Sequence, residues 1–516
     1  MRRPELPCVL LAAAIGAAYL AFAPGGADLV AAAFRSDLFA HHGFVTVNEA
    51  WYGGHHVPAY SLLGAPLMTW LGPRVSATIA VVVASGLFAA LLQRTVPRHP
   101  TLPAAVWFAA GAGAMLFTDR IAFLTGLPFA LGALLALAYD RRALTLALAL
   151  VTPLVSPVDG AFLALAAVAW GIAARRPLGA GIAVAALAPV AILNAIFPEG
   201  GDFPLPATVY WPALAALAIV WWAASDPKLR TVRIGAVLYA AALTLCFLVP
   251  NAAGANVTRL AALAAGPVLA LAMWNRHRAL LAVLVLPMAY WTLLPAVTSV
   301  TRAAGDPSRH ARYYDGLLAE LERIQDRDGP VRVEIPFTQD HWEAHYVAEH
   351  VPIARGWLRQ LDRDVNGIFY GRPRLNPDNY TAWLRDNAIS YVAVPDVPLD
   401  GSAATESRVI RAGLPALREV WHDRHWTLYR VDGARSLGVT SIGPDGFTVE
   451  ATPGRLTIDT RVRFSPHWAV VSGDGCVSEA PGGWTRVTAR APGELRVGVR
   501  IAPLRAALGR TGERCA

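Results

Sequence analysis

Charged residues, and lysine above all, are scarce in this sequence of 516 residues. Asp, Glu, Lys and Arg make up 16% of the chain, and Lys228 is the one lysine. A soluble domain usually has about 25% charged residues, so this composition excludes a protein whose whole surface faces water. The sequence also has no internal repeat, low-complexity tract or long linker, which argues against a repeat architecture.

The shortage of charge is confined to the first part of the chain. From Leu6 to about Thr298 the residues are mostly Ala, Leu, Val and Gly, whereas from about Thr301 the composition is that of a soluble protein. We therefore predict a mostly α-helical membrane protein with three domains. They are a transmembrane bundle over residues 1–300 with a long outer loop at 24–57, an extracytoplasmic α/β domain over 301–435 and a small extracytoplasmic β-domain over 436–516.

About eleven segments are apolar enough to cross a membrane, which takes about 20 largely apolar residues. The first is expected to be a retained helix rather than a cleaved signal, because many spans follow it. Tyr60–Gly72 is Pro-broken and short, so we predict an interfacial or re-entrant helix there. The predicted spans are Leu6–Ala23, Val75–Leu92, Thr101–Phe117, Ile121–Tyr139, Ala143–Val155, Ala161–Ala174, Leu178–Phe197, Thr208–Ala224, Ile234–Val249, Leu260–Met273 and Ala279–Thr298.

The basic residues between these spans predict the topology. Cytoplasmic loops of membrane proteins carry an excess of Arg and Lys. With a cytoplasmic N-terminus, every second loop is basic, and an odd number of spans places the C-terminal domains outside. The basic residues of these loops are Arg94, Arg98, Arg141, Arg142, Arg175, Arg176, Lys228, Arg230, Arg233, Arg276 and Arg278.

The formal net charge of +8 is the feature that could suggest a nucleic-acid partner. Many of the arginines, however, lie in short clusters between apolar runs, where membrane topology explains them. We therefore expect a lipid bilayer and no nucleic acid among the partners of this chain.

The soluble part begins with the amphipathic helix Tyr313–Arg327. Three strands, Val331–Phe337, Ile389–Val394 and Trp426–Val431, then predict a small α/β arrangement. From Gly438 onward, short alternating runs split by Gly and Pro predict antiparallel strands. These runs are Phe447–Glu450, Arg455–Val462, Trp468–Val471 and Leu495–Ile501.

The chain has only four cysteines, and they fall into two groups. Cys8 and Cys246 lie inside predicted spans, where they act as small apolar residues. Cys476 and Cys515 lie in the predicted outer domain, where oxidation is allowed. They are either two free thiols or a disulfide that ties the C-terminal tail to the β-domain.

The outer loop Pro24–Val57 is unusually long and polar for a membrane connector. Its first part, Ala27–Ala40, has helical periodicity, and four of the thirteen histidines of the chain follow within the loop. Solvated residues and interfacial anchors are the simplest interpretation. A metal site is less favoured, because adjacent histidines rarely bind one ion together. The polar and aromatic residues of the loop are Asp28, Arg35, Asp37, His41, His42, Glu49, Trp51, Tyr52, His55 and His56.

Further polar residues lie near span ends on the predicted outer face. Arg120 and Arg259 are exceptions to the excess of basic residues in cytoplasmic loops. An arginine near the outer surface of the bilayer can hold a lipid phosphate through two hydrogen bonds. The alternative is that these residues simply cap helices at the interface. The others in this set are Asp119, Asp159, Glu199, Asp202 and Asn256.

A first span followed by a long, amphipathic outer loop with an early acidic residue resembles the GT-C superfamily of polytopic glycosyltransferases. Several short segments are similar to those of actinobacterial members, and together they extend over most of the chain. Asp37 is followed by Leu38, whereas the family often has two adjacent acidic residues there. The segments are Ser36–Phe39, Trp51–Gly54, Asp119–Gly126, Ser156–Gly160, Gly254–Leu260, Ala354–Trp357 and Ser465–Trp468.

The resemblance implies transfer of a sugar from a polyprenyl-phosphate donor to a cell-envelope glycan or lipid acceptor. The catalytic carboxylate would be Asp37, with Glu49 as the alternative. Arg120 or Arg259 would stabilise the leaving phosphate. The sequence identifies no cofactor, and a divalent metal ion is the one candidate that it leaves open. The remaining substrate-binding residues would be Asn256, His41, His55, Trp51 and Tyr52.

Two other classes of protein stay open at this point. A transporter or flippase would normally have ionisable residues in mid-span, and these spans are nearly free of them. A non-catalytic envelope-assembly protein could instead bind glycan through its outer domain. The polar and aromatic residues that could do so, or could equally pack the domain, are His341, Trp342, Glu343, Arg355, Trp357, Arg359, Asp362 and Asn366.

Overall fold

The computed structural model describes residues 5–515, which form two compact units. The first unit comprises the described residues of Met1–Ala32, Tyr60–Ile192 and Asp202–Ala304. The second comprises those of Ala33–Ala59, Leu193–Gly201 and Gly305–Ala516.

The first unit is helical, and the second helix continues into the second unit. Long apolar runs favour helices in a bilayer, because a helix satisfies its backbone hydrogen bonds internally. The helices are α1 (Glu5–Phe22), α2 (Ala27–His42), α3 (Gly64–Thr69), α4 (Pro73–Thr95), α5 (Thr101–Leu116), α6 (Ile121–Ala138), α7 (Arg142–Val155), α8 (Pro157–Ala174), α9 (Leu178–Ile196), α10 (Ala207–Ala223), α11 (Arg230–Leu248), α12 (Arg259–Met273) and α13 (Arg278–Ala303).

Among residues 5–515, eight helices are long and apolar enough to cross a membrane, which makes the chain a multi-pass membrane protein. Helices α5, α7 and α10 are apolar but shorter. Each predicted span coincides with one of these helices, and the count of eleven membrane crossings stays a prediction. Helices α8 and α9 approach closely at small residues, since a Cβ added to Gly179 would lie 2.6 Å from the Cα of Gly171.

The predicted helix over Tyr60–Gly72 is shorter in the structure. Only Gly64–Thr69 is helical, and it ends before Gly72, whose φ of 76° breaks the helical path. Before it, Ser61 has a φ of 57° and its hydroxyl donates to the carbonyl of Val155 at 2.6 Å. The segment is therefore a turn followed by a short helix.

The second unit contains a four-stranded mixed sheet in the order β3-β4-β6-β5. Strands β3 and β4 are parallel and the other pairs antiparallel. Helices and strands occur together in this part of the chain, and its limits as a separate domain stay a prediction. Its elements are α14 (Asp315–Asp328), β3 (Arg332–Glu334), α15 (Glu343–Tyr346), α16 (Arg359–Val365), α17 (Pro377–Asp386), β4 (Ile389–Pro395), α18 (Ala404–Arg411), β5 (Leu417–His422) and β6 (Trp426–Val431).

The tail of the second unit forms two antiparallel four-stranded sheets, as the alternating runs predicted. Their orders are β10-β13-β8-β7 and β14-β11-β12-β9. Inward side chains such as Phe447, Val487 and Val497 form one hydrophobic core. The elements are β7 (Ser441–Gly443), β8 (Gly446–Ala451), β9 (Thr457–Arg463), β10 (Trp468–Ser472), β11 (Gly475–Ala480), β12 (Trp484–Ala489), β13 (Gly493–Val499), α19 (Pro503–Ala507) and β14 (Arg514–Cys515).

Part of the predicted outer loop belongs to this second unit. Val47–Asn48 (β1) pairs with His55–His56 (β2), and Val47 packs into the core of the tail sheets. The N–H groups of Thr46 and Val47 each donate to the carboxylate of Asp445 at 2.8 Å. These contacts hold the loop by long-range hydrogen bonds rather than leaving it as a solvated connector.

Cys476 and Cys515 form a disulfide, which decides between the two alternatives that the sequence left open. The free cysteines Cys8 and Cys246 lie in α1 and α11, as predicted. The disulfide closes a sequence separation of 39 residues. It thereby fixes β14, the last strand, to β11.

Replacing Cys476 and Cys515 by Ser should lower the stability of the second unit by about 2–4 kcal/mol, because the unfolded chain regains loop entropy. Urea-dependent proteolysis of the purified protein measures this loss. Cys246→Ser serves as the control and should leave the midpoint unchanged. An unchanged midpoint in the double variant would contradict a stabilising disulfide.

Candidate functional site

A carboxylate between two arginines is the most distinctive polar feature of the first unit. The Oδ2 atom of Asp28 accepts a hydrogen bond from Nη1 of Arg120 at 2.5 Å. The same oxygen lies 3.6 Å from Nη2 of Arg259. The side chains of Asp28, Arg120 and Arg259 are 20%, 39% and 14% exposed, so the cluster is shielded but open to a ligand.

All three residues stand at the beginning of a helix. Asp28 is in the first turn of α2, Arg120 immediately precedes α6 and Arg259 is the first residue of α12. The positive end of a helix dipole favours negative charge nearby. Two guanidinium groups and one carboxylate also leave an excess of one positive charge. The arrangement therefore suits an anion such as a phosphate.

A buried aspartate fixes the backbone just before α2. Asp119 accepts a hydrogen bond from the hydroxyl of Tyr19 at 2.5 Å and another from the N–H of Gly26 at 2.6 Å. A Cβ at Gly26 would lie 2.8 Å from the Asp119 carboxylate and 3.1 Å from the hydroxyl of Ser299. Glycine is therefore required there for the close approach that positions Asp28.

Asp159 is a further carboxylate of this unit, in the first turn of α8 and 1% exposed. It interacts electrostatically with Arg259, and no other described residue donates a hydrogen bond to its Oδ2 atom. Gly126 leaves the space that this carboxylate occupies, since a Cβ there would overlap it. Asn256 lies in the short helical turn Gly254–Thr258 that leads into Arg259.

The predicted catalytic residue Asp37 belongs to the second unit, whereas Arg120 and Arg259 belong to the first. Its side chain is 49% exposed, and its Oδ2 atom lies 3.7 Å from Nε2 of His345. Partial burial raises the pKa of the Asp37 carboxyl, while His345 acts in the opposite direction. Asp37 is thus accessible and ionisable.

Glu49, the alternative carboxylate, is 1% exposed. Its two oxygens receive no hydrogen bond from any other residue within 5–515. Burial raises the pKa of this carboxyl well above its usual value. Burial without hydrogen-bond donors disfavours the charged form of the carboxyl, which makes Glu49 a poor candidate for the base.

The predicted sugar-binding aromatics are covered by protein. Trp51 stacks on Phe34 and His55 with ring centroids 4.4 and 5.2 Å away, and its Nε1 donates to the carbonyl of Ala344 at 2.9 Å. The Tyr52 hydroxyl donates to the carbonyl of Leu358 at 3.0 Å. Burial lowers the pKa of His55 to about 3, so its ring is neutral. These side chains hold the loop in the second unit.

His41 is the exposed member of the predicted set. Its Nδ1 atom lies 2.8 Å from the backbone carbonyl of Asp37, one helical turn earlier. The structure thus brings Arg120 and Arg259 together, and it places Asp37 and His41 side by side. Asp28 is the partner that the sequence interpretation did not single out, although an acid in the first turn of a helix after Gly25–Gly26 was a usable signal.

No protein family matches the chain, and no curated protein matches it either. Solved structures do resemble it at low identity. Arabinofuranosyltransferase AftD from Mycobacteria is 17% identical with a TM-score of 0.49, over 87% of this chain and 41% of that one. The chain therefore spans about two fifths of that protein.

Two further structures resemble the chain. ArnT from Cupriavidus metallidurans is 13% identical with a TM-score of 0.40, over 79% of this chain and 93% of that one. The oligosaccharyltransferase AglB from Archaeoglobus fulgidus is 11% identical with a TM-score of 0.43, over 76% of this chain and 69% of that one. Because these identities and TM-scores are low, the function proposed below rests on the residues of this chain.

Proposed function

We propose that this chain is a membrane glycosyltransferase that moves a sugar from a polyprenyl-phosphate donor to a cell-envelope glycan or lipid acceptor on the outer face. The observation that supports the proposal is the cluster of Asp28, Arg120 and Arg259 at three helix starts. In this cluster, two arginines that can bind phosphate lie beside a carboxylate at the ends of apolar helices. A phosphate group attached to a membrane lipid would reach the protein at that height.

The donor phosphate would displace part of the contact between the arginines and Asp28. Arginine holds phosphate through paired hydrogen bonds and keeps its charge at any physiological pH. Negative charge develops on the bridging phosphate oxygen as the bond to the anomeric carbon breaks. Arg120 and Arg259 would stabilise that charge in a shielded site, where such interactions are strong.

The acceptor hydroxyl would attack the anomeric carbon as the polyprenyl phosphate leaves. One bond forms between the acceptor oxygen and the anomeric carbon, the carbon–phosphate oxygen bond breaks, and the hydroxyl proton goes to a carboxylate. We propose Asp28 as this base, because the donor phosphate would take over the two arginines and so free the Asp28 carboxylate to accept the proton. Asp37, the base predicted from the sequence, is tested against Asp28 in the same transfer assay.

The outer-face orientation rests on the distribution of arginine along the chain. The helix ends with clustered basic residues, such as Arg141 with Arg142 and Arg175 with Arg176, would be cytoplasmic. The Asp28 cluster and the second unit would then both face outward, with the N-terminus inside. Acceptors of the cell envelope are available on that side.

Changing Arg259 to Gln should raise the donor KM by about 10–100-fold, because a hydrogen bond to a charged group contributes about 1.5–3 kcal/mol. Arg120→Gln should have a similar effect. The measurement is sugar transfer from a polyprenyl-phosphate donor pool in membranes that contain each variant at equal expression.

The matched control is Arg276→Gln, which removes an arginine that pairs with Asp226 at 3.5 Å in the same unit. It should leave the donor KM unchanged. If Arg276→Gln and Arg259→Gln weaken donor use equally, the proposed phosphate site is refuted. If the wild-type protein transfers no sugar from any donor, the envelope-binding alternative replaces the enzyme proposal.

A further inference from the structure

Three large apolar side chains are exposed close together near the end of the second unit. Ile501, Leu504 and Leu508 are 55%, 78% and 62% exposed. Leu504 lies in helix α19, and the N–H of Leu508 donates to its carbonyl at 3.1 Å. These two leucines are therefore one turn apart on the same face. A group of exposed apolar side chains next to polar residues marks a surface that meets a partner or a membrane.

The same segment has an excess of positive charge. Residues 500–515 contain four arginines, Arg500, Arg505, Arg510 and Arg514, and the one acid Glu513. Burial and the nearby charges of Arg505 and Arg500 lower the pKa of Arg514, so these guanidinium groups lie close enough to repel one another. An anion bound between them would relieve that repulsion.

The contacts of these arginines with the rest of the protein are made to backbone oxygens. Arg505 donates from Nη2 to the carbonyl of Gly512, and Arg514 donates from Nη1 to the carbonyl of Arg500 at 2.9 Å. The Nε atom of Arg505 is buried and has no hydrogen-bond partner among residues 5–515. Part of the donor capacity of this group is therefore left for a ligand with acceptor oxygens, such as a phosphate.

His467 connects this segment to the end of an apolar helix. Its Nδ1 atom accepts a hydrogen bond from the N–H of Ala502 at 3.1 Å, and its Nε2 atom donates to the carbonyl of Ile196 at 2.8 Å. The ring is 0% exposed, and burial lowers the pKa of His467. It is therefore neutral at neutral pH, with the one donor and one acceptor that these two contacts require.

This connection places α19 at the level of the membrane surface. Ile196 is the last residue of α9, which is long and apolar enough to cross a membrane. Only one imidazole ring and two hydrogen bonds separate it from Ala502, and α19 begins at the next residue, Pro503. The headgroup region of one leaflet is about 5–8 Å deep. The exposed leucines of α19 are thus within reach of lipid.

We propose that Ile501, Leu504 and Leu508 dip into the bilayer surface while the surrounding arginines bind the phosphate groups of anionic phospholipids. Apolar side chains that enter the lipid beside basic ones that meet the headgroups are the usual pattern of a surface-bound segment. Guanidinium groups suit this role, because they hold phosphate through paired hydrogen bonds. The contact attaches the C-terminal tail of the second unit to the membrane and goes beyond the transfer reaction proposed above.

The test is spin labelling of the full-length protein in lipid nanodiscs. Leu504→Cys is introduced after Cys8→Ala and Cys246→Ala remove the two free thiols, and a nitroxide is attached. Its relative accessibility to O₂ and to a water-soluble nickel complex reports its depth in lipid. With phosphatidylglycerol present, the label should be reached by O₂ rather than by nickel. In phosphatidylcholine alone, the fraction of immersed label should fall.

Val420→Cys is the matched control for depth, because Val420 is an apolar residue of β5 that is 42% exposed in the same unit. Its label should stay in water in both lipids. Arg500→Gln combined with Arg510→Gln should shift the label at position 504 toward water by about 25-fold, since each basic residue near an anionic surface contributes about fivefold. Arg418→Gln combined with Arg455→Gln removes the same charge elsewhere and should leave the depth unchanged.

Three results would overturn the proposal. The label at position 504 could be as accessible to nickel as the label at position 420, which would show that the segment stays in water. A label shielded from both reagents would show that protein covers the segment. Immersion that ignores both phosphatidylglycerol and the arginine variants would show that anionic headgroups are not recognised. The readout needs no sugar transfer, so each of these results leaves the glycosyltransferase proposal intact.

Discussion

Asp28→Asn is expected to slow sugar transfer by about 10²–10⁴-fold, the usual cost of removing a positioned general base. Asparagine has nearly the same shape and can still accept hydrogen bonds from Arg120 and Arg259. It cannot take a proton from the acceptor hydroxyl. The helical unit should therefore stay folded while the chemical step fails.

The split between kcat and KM separates a base from a residue that only orders the arginines. Asp28→Asn leaves two guanidinium groups without their carboxylate, so the site becomes more positive. Donor phosphate should then bind as well as before or better, and the loss should appear in kcat. A merely structural role for Asp28 would instead raise the donor KM, as expected for Arg259→Gln.

Asp226 offers a closely matched control for this experiment. Its side chain is 19% exposed, against 20% for Asp28, and it pairs with Arg276 and His99, each at 3.5 Å. Asp226→Asn removes an ion-paired aspartate of the same unit and should leave transfer unchanged. Asp37→Asn is the competing test. If Asp37→Asn stops transfer and Asp28→Asn does not, Asp37 is the base and our assignment to Asp28 is wrong.

Much of the fold follows from local patterns in the sequence. Apolar runs give the helices of the first unit, and the alternating run Trp426–Val431 is strand β6 with the same ends. Helix α14 is likewise predictable from the sequence, because its apolar residues Leu317, Leu321 and Ile324 recur at helical spacing. The structure shows that all three are buried. These features depend on near neighbours, so one sequence is enough to predict them.

The candidate site depends on contacts that local patterns do not contain. Trp51 and Glu49 look like exposed loop residues, yet both are buried, because hydrogen bonds hold their segment to Asp445 and Ala344. Composition near a loop cannot reveal a partner so far along the chain. For the same reason, the sequence offered Arg120, Arg259 and the first-turn acid Asp28 as separate polar residues, and only the structure shows that Asp28 is the common partner of the two arginines.

The residues considered for carbohydrate binding include a fully buried charge cluster around Arg355. Its guanidinium group contacts Asp362 at 2.8 Å and Glu406 at 3.2 Å, and all three side chains are 0% exposed. The rings of Phe337 and Phe369 lie 4.0 and 3.7 Å from its Cζ atom. No face of Arg355 is left for a glycan, so the cluster supports the fold of the second unit.

Arg355→Met is therefore expected to destabilise the second unit by about 3–5 kcal/mol, because it leaves Asp362 buried without its counter-charge. Asp362 would keep hydrogen bonds from Asn366 at 2.8 Å and Tyr370 at 2.6 Å, which limits the loss. Arg355→Lys should also destabilise the unit, since an ammonium group has neither the planar pair of donors that faces Asp362 nor a flat face to stack between the rings. Urea-dependent proteolysis of the purified protein measures both changes.

The control is Arg418→Met, because Arg418 is 62% exposed and lies 3.9 Å from Asp432. An exposed pair of this kind contributes about 0–1 kcal/mol, so the proteolysis midpoint should hardly move. A second variant tests the cause of the loss. Combining Arg355→Met with Asp362→Asn removes the buried charge along with its partner, and part of the stability should return. If Arg355→Met alone is as stable as Arg418→Met, the buried cluster does not hold the second unit together, and Arg355 would have to be considered again as a binding residue.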